Sequence, residues 1–286
     1  MLLRRSKSLP HDAHKGINAW LIYLALPAVS FKFLPHIQWS TQLLLPVISP
    51  VIIWVGGWLF IKAYALKAGL SKATEGALKL TSGLSNTSFI GFPLIMAYFG
   101  EKERGIAIIC DQVTFALLCT AGVVVAINSS GKHTLPTKLV LKKLVLFPPF
   151  IACVAALTVP HFLNISILEP LFDKIAVTVG PLALFSVGLQ LKFTGWREEL
   201  KNLNIGLLYK LVIAPALVLV VVLIFSLKGT IAHISIFEAA MPTLVTSGIV
   251  AEEYGLNTRL SNLMIGAGII AAFASTAIWF EVLKLF

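Results

Sequence analysis

Apolar runs long enough to cross a bilayer alternate with short polar loops along this chain. They cover 17–33, 43–66, 74–100, 105–127, 144–159, 171–191, 203–227, 232–254 and 260–286. A helix needs about 20 apolar residues to span the hydrocarbon layer, so the pattern predicts an all-α integral membrane fold of about nine transmembrane helices. Two runs are interrupted at their centres. The third contains Leu84-Ser85-Asn86-Thr87-Ser88-Phe89-Ile90-Gly91-Phe92-Pro93, and the eighth contains Ala240-Met241-Pro242-Thr243-Leu244-Val245-Thr246-Ser247-Gly248. Pro93 has no N–H and collides with the carbonyl of Phe89, so a break or kink is expected there. Polar, broken backbone at membrane depth is tolerated only where it lines a cavity or packs inside protein. A lone proline kink is usually a packing feature. Two matched breaks point instead to a carrier whose interrupted helices cross at the substrate site.

Composition agrees with the pattern. With 57% hydrophobic and 13% charged residues and a mean hydropathy of +0.89, a soluble domain is excluded. The formal net charge of +10 does not indicate nucleic acid, because the basic residues sit in the loops between runs. Arg4, Arg5, Lys7 and Lys15 precede the first run, and Lys67 and Lys72 follow the second. Lys132, Lys138, Lys142 and Lys143 follow the fourth, and Lys192, Arg197 and Lys201 the sixth. The alternate loops hold only Lys102 and Arg104, offset by Glu101 and Glu103, then Lys174 and Lys228. Basic loops stay inside, which places the N-terminus in the cytoplasm and the C-terminus on the opposite face of a plasma (inner) membrane. The first 16 residues have no apolar core of their own and are not expected to be a cleavable signal peptide. Cys110, Cys119 and Cys153 lie inside apolar runs and read as buried packing residues. The sequence carries no metal-ligand pattern, no nucleophile with a nearby histidine and acid, and no glycine-rich phosphate loop, so neither an enzyme nor a bound cofactor is expected.

The two halves repeat weakly. Leu26-Pro27-Ala28-Val29-Ser30-Phe31 in run one matches Gly180-Pro181-Leu182-Ala183-Leu184-Phe185-Ser186 in run six. Tyr98-Phe99-Gly100 at the end of run three matches Glu253-Tyr254-Gly255 at the end of run eight, with Arg104 and Arg259 each four residues past the glycine. The copies face opposite ways, so 1–127 and 138–286 read as two inverted repeats in one transport domain, the first short of one helix.

At these residues, and at Leu184-Phe185-Ser186-Val187-Gly188-Leu189 and Ala251-Glu252-Glu253-Tyr254-Gly255, the chain resembles the auxin efflux carrier family of bacterial permeases and plant PIN-type carriers. That family is similar in fold to bile-acid/sodium symporters and is built of ten spans in two inverted repeats; this chain looks like a form without the first. The resemblance implies organic-anion transport, export as the direction and a homodimer. It points to Asn86 as the side chain that hydrogen-bonds substrate and to Pro93 and Pro242 as crossover prolines. Ser85 and Gly248 stand where relatives often have proline, which softens the breaks. Runs three, four, eight and nine, with one and six beside them, are expected to form the substrate-binding side, the others a scaffold.

A broken helix exposes unpaired N–H groups at the start of its second half, where a positive dipole end suits a carboxylate. The candidate substrate-binding residues are therefore Asn86, Thr87, Ser88 and Pro93 in run three, with Met241, Pro242, Thr243, Thr246 and Ser247 in run eight. The hydroxyls of Thr246 and Ser247 could equally back-bond to their own helix. Asp111, beside Cys110 and Gln112 in run four, is the candidate for proton coupling, because a carboxylate inside a span is functional or paired by default. Its alternative is an interfacial carboxylate reaching water or Arg104. Lys210 reads as a partner or as a side chain snorkelling to the cytoplasmic surface. Glu75 and Lys79 read as a helical surface pair, and Glu252 with Glu253 as a solvated helix end or an exit gate. The leading expectation is a secondary transporter of a small organic anion. The alternatives are a sodium-coupled symporter, which would need more carboxylates and amides near the crossover, and a non-transporting membrane sensor or subunit.

Overall fold

A computed structural model describes residues 10, 12–36, 43–100, 103–130, 142, 145–190 and 196–285. The basic segment 1–9, most of the lysine-rich loop after run four and residues 191–195 carry much of the orientation reading, and they lie outside the described residues. The described chain is helical throughout, and its only β pairing is one isolated antiparallel bridge, Ser85 with Thr243. In order, the helices are α1 Ala13–Trp20, α2 Leu26–Phe33, α3 Leu44–Ala68, α4 Lys72–Gly83, α5 Phe92–Phe99, α6 Arg104–Leu117, α7 Val123–Ser129 and α8 Pro148–Thr158. They continue with α9 Glu169–Val177, α10 Val179–Gln190, α11 Trp196–Leu208, α12 Ala214–Ile224, α13 Thr230–Ala239, α14 Val245–Glu253 and α15 Thr258–Leu283. Among the described residues, four continuous helices are long and apolar enough to cross a membrane: Leu44–Ala68, Ile106–Ser129, Arg197–Ile224 and Thr258–Leu283. Large apolar side chains such as Ile270, Phe273 and Ile278 stand exposed along α15, as a lipid-facing surface requires.

Three prolines inside helical runs are accommodated by a shared device. Wider π-helical turns at Leu21–Ala25, Thr87–Gly91 and Tyr209–Ile213 end two residues before Pro27, Pro93 and Pro215. A proline ring collides with the carbonyl four residues earlier. The extra residue of a π turn opens the ladder at that point. For Pro215 that carbonyl is Leu211, and it accepts instead from the indole N–H of Trp279 at 2.9 Å. Pro93 thus does not make the break expected of it. The break comes earlier, at Leu84–Asn86, and Pro93 sits in the first turn of α5 with its side chain exposed.

The chain divides into two compact units, Met1–Gln38 with Thr134–Phe193, and Trp39–His133 with Thr194–Phe286. In the first, Phe31 stacks on Phe172 with ring centroids 4.9 Å apart, and Lys32 pairs with Asp173 at 2.8 Å. The Trp20 indole donates to Thr178 Oγ1 at 3.0 Å. These contacts bind run one to run six, and run five falls in the same unit. Run six itself divides at Thr178 into α9 and α10.

The second unit contains both interrupted helices. Its core joins Ile53, Ile95, Phe237, Met241 and Val218, and a cluster of rings ties α5 to α13 and α15: Tyr98 lies 4.6 Å from Phe280 and Phe99 5.2 Å from Phe237. Run two belongs here too, because glycine lets α3 approach α4 at backbone distance. A Cβ on Gly57 would lie 3.1 Å from the Gly83 Cα, and one on Gly83 would lie 2.7 Å from the Trp54 ring. Gly83→Val therefore overpacks this contact, and its thermal midpoint in detergent is expected to fall by several degrees, equivalent to about 1–3 kcal/mol. Gly16→Ala, where nothing lies within 4 Å, is the control and should not lower it.

Candidate functional site: two crossed, interrupted helices

The two breaks satisfy each other. After α4 the chain becomes extended at Leu84, and after α13 the segment Ala240–Leu244 leaves the helix. The two stretches run antiparallel, with Asn86 N donating to Pro242 O at 2.7 Å and Leu244 N donating to Leu84 O at 3.0 Å. Thr243 Oγ1 donates to Thr81 O at 2.8 Å, binding the second crossover to the end of α4. Backbone that would otherwise be unpaired in an apolar core is thereby bonded without water. The second halves of both interrupted helices begin at this crossing, at Thr87 and at Val245. Their N-terminal ends each carry roughly half a positive charge.

Around the crossing lies a shell of buried polar side chains. The Asn86 Oδ1 caps the following turn by accepting from Phe89 N at 3.1 Å, while its Nδ2 has no partner among the described residues. Asp111 comes from α6 and is buried. It accepts from Thr87 Oγ1 at 2.6 Å and from Gln112 Nε2 at 3.1 Å, and Ser88 also bonds to it. Lys210, in the π turn between α11 and α12, is fully buried; its ammonium donates to Ser85 Oγ at 2.7 Å and to Ala239 O at 3.0 Å. It does not snorkel. It touches one atom of each interrupted helix, and Ala239 is the last residue of α13, the negative end of that half-helix. Glu238, in the same final turn, is buried with both carboxyl oxygens unpartnered among the described residues.

A model of the Membrane transport protein family matches residues 1–280. The chain belongs to that family. An uncharacterized transporter of Methanocaldococcus jannaschii is 27% identical over 262 residues, covering 88% of this chain and 84% of that protein. A Rhizobium meliloti protein carrying the provisional name malonate transporter is 24% identical over 261 residues, covering 86% and 80%. A rice (Oryza sativa subsp. japonica) protein provisionally named auxin efflux carrier component 9 is 28% identical over 123 residues, which is 42% of this chain and 28% of its own length. The auxin efflux carrier resemblance read from the crossover residues is thus found again in whole-chain comparison, and the chain is an integral membrane protein of a transporter family.

For this family member, the structure gathers most of the residues singled out in the sequence. Asn86, Thr87, Met241, Pro242 and Thr243 lie at the crossing, and Ser88 reaches Asp111. Ser247 Oγ back-bonds to Leu244 O at 2.6 Å, whereas Thr246 Oγ1 is buried without a partner among the described residues. Pro93 stands apart, exposed on α5. Glu75 and Lys79 do pair, at 2.5 Å, but the lysine is buried and lies 4.7 Å from the Trp58 ring centroid, so the pair is no surface feature. The three cysteines are buried and none is in a disulfide among the described residues. Glu238 was missed, although an acid four residues before Pro242 inside an apolar run is itself a signal.

Removing the ammonium by Lys210→Met should destabilise the protein by about 1.5–3 kcal/mol, since it leaves Ser85 Oγ and Ala239 O without their charged donor. A double-mutant cycle with Ser85→Ala, read by thermal unfolding, is expected to show a coupling of about 0.5–3 kcal/mol; additive effects would mean that the bond contributes nothing.

Proposed function

We propose that this chain is a secondary active transporter of a small organic anion, bound where the two interrupted helices cross and carried by alternating access. The observation that carries the reading is the Asn86 amide. Its Nδ2 is a buried donor with no partner among the described residues, held at the start of a half-helix by the cap its own Oδ1 forms. A buried donor left unpaired costs about 1–3 kcal/mol, and an anionic oxygen is the ligand that removes this cost beside a positive helix end. The start of α14, with the free Thr246 hydroxyl, presents a second such end to the same crossing. The provisional name of the Rhizobium meliloti relative makes malonate the first acid to try.

The reading includes nine spans in two inverted repeats, a cytoplasmic N-terminus and an outward C-terminus in the plasma membrane, export as the direction, a homodimer, and coupling to protons through a buried carboxyl beside the crossing. It is supported by the run pattern, the loop charges, the antiparallel sense of the Ser85–Thr243 bridge and the family membership.

Malonate counterflow in proteoliposomes tests it. Asn86→Ser keeps a good capping side chain but loses the amide donor. Its half-saturation concentration is expected to rise about ten- to a hundredfold, the worth of one hydrogen bond to a charged group, with the fold intact. Equal counterflow by wild type and variant would remove Asn86 from the site. Failure of wild type to exchange any small carboxylate would overturn the transport reading itself.

A further inference from the structure

Two carboxyls lie buried beside the crossing, and their surroundings differ. Asp111 accepts hydrogen bonds from Thr87, Ser88 and Gln112. Glu238 accepts none among the described residues, at either oxygen. The backbone of the π turn Thr87–Gly91 closes over it: a Cβ on Gly91 would lie 2.7 Å from one Glu238 oxygen and 2.9 Å from the other. A Cβ there would press on the carboxyl, and glycine itself supplies no side-chain donor. The ionisable groups that face Glu238 are Asp111 and the Cys110 thiol from α6, and Lys210 from the turn after α11. Of these only Lys210 is a cation, and its recorded hydrogen bonds go to Ser85 Oγ and Ala239 O.

We propose that Glu238 is the carboxyl that takes up and releases the coupling proton, while Asp111 is a fixed acceptor that positions the Thr87 turn; this rests on the transport reading above. A buried carboxylate without donors is costly as an anion. A proton neutralises it and needs no further ligands. A metal ion would need several oxygen ligands. Among the described residues no three acidic, histidine or cysteine side chains are placed so as to hold a metal ion together, and the Lys210 amine lies beside Glu238. When the proton arrives from water on one side, an O–H bond forms on a Glu238 oxygen and the site becomes more positive by one charge, which offsets the charge of a bound carboxylate. On the other side that O–H bond breaks and the proton returns to water. The same π turn links the two events, because Gly91 touches Glu238 while its N–H bonds Asn86 O at 3.1 Å.

Two measurements separate this proposal from the reading beneath it. The first needs no substrate: infrared difference spectra of the purified full chain between high and low pH, in wild type, Glu238→Gln and Asp111→Asn. A buried protonated-carboxyl stretch is expected in wild type and Asp111→Asn and absent from Glu238→Gln. Its persistence in Glu238→Gln, its loss only in Asp111→Asn, or its absence from wild type overturns the proposal. The second uses malonate in proteoliposomes. For one proton carried with each malonate, an imposed gradient of one pH unit should drive about tenfold accumulation by wild type. Glu238→Gln should give none while still exchanging malonate. Gradient-driven accumulation by Glu238→Gln, or its replacement by sodium-driven accumulation in wild type, also overturns the proposal. Absence of malonate exchange in every form counts against the transport reading, and the infrared result then stands by itself.

Discussion

Two backbone hydrogen bonds, from Asn86 N to Pro242 O and from Leu244 N to Leu84 O, offset the cost of breaking two helices inside an apolar core. Without them, peptide groups at membrane depth would face hydrocarbon or each other unpaired, at several kcal/mol per group. The pairing also explains why the breaks come together. Each crossover supplies the acceptor that the other lacks, so one interrupted helix alone would be unstable in this position. Everything of chemical interest lies within a residue or two of those bonds: the Asn86 amide, the Lys210 ammonium on Ser85 and Ala239, and the carboxyls of Asp111 and Glu238.

The electrostatics of the crossing follow from helix polarity. Half-helices that begin there present positive ends, and those that stop there present negative ends. Lys210 stands at a negative end, on the final carbonyl of α13, and the free Asn86 amide stands at a positive one. The Lys210 amine thus bonds to both crossovers, while the Asn86 Nδ2 has no partner among the described residues. Two carboxyls complete the group: Asp111 accepts from three side chains, and Glu238 from none among the described residues.

Much of this was legible in the sequence because membrane proteins obey few rules strictly. Unbroken apolar length predicted α3, the α6–α7 helix, the α11–α12 helix and α15 to within a few residues, except that α11 begins well before run seven. The polar centre of run three, at Ser85-Asn86-Thr87-Ser88, and the Pro242-Thr243 interruption of run eight marked both breaks. Proline was the poorer guide, since Pro27, Pro93 and Pro215 are absorbed by π turns that no local propensity announces. The grouping of runs was not legible either: it depends on pairs remote in sequence, such as Phe31 with Phe172 and Gly57 with Gly83. Lys210 was misread for the same reason. Its partners Ser85 and Ala239 meet only after two breaks have crossed, and a lysine considered with its own helix alone has no way to go but to water.

The most direct test of the central claim is an experimental structure of the membrane-embedded protein in saturating malonate. The account predicts the antiparallel crossing with both backbone bonds intact and a carboxylate on Asn86 Nδ2 at the start of the Thr87 turn. A structure in which the two segments do not pair, or in which the anion is ordered elsewhere while Asn86 keeps its donor unoccupied, would contradict it.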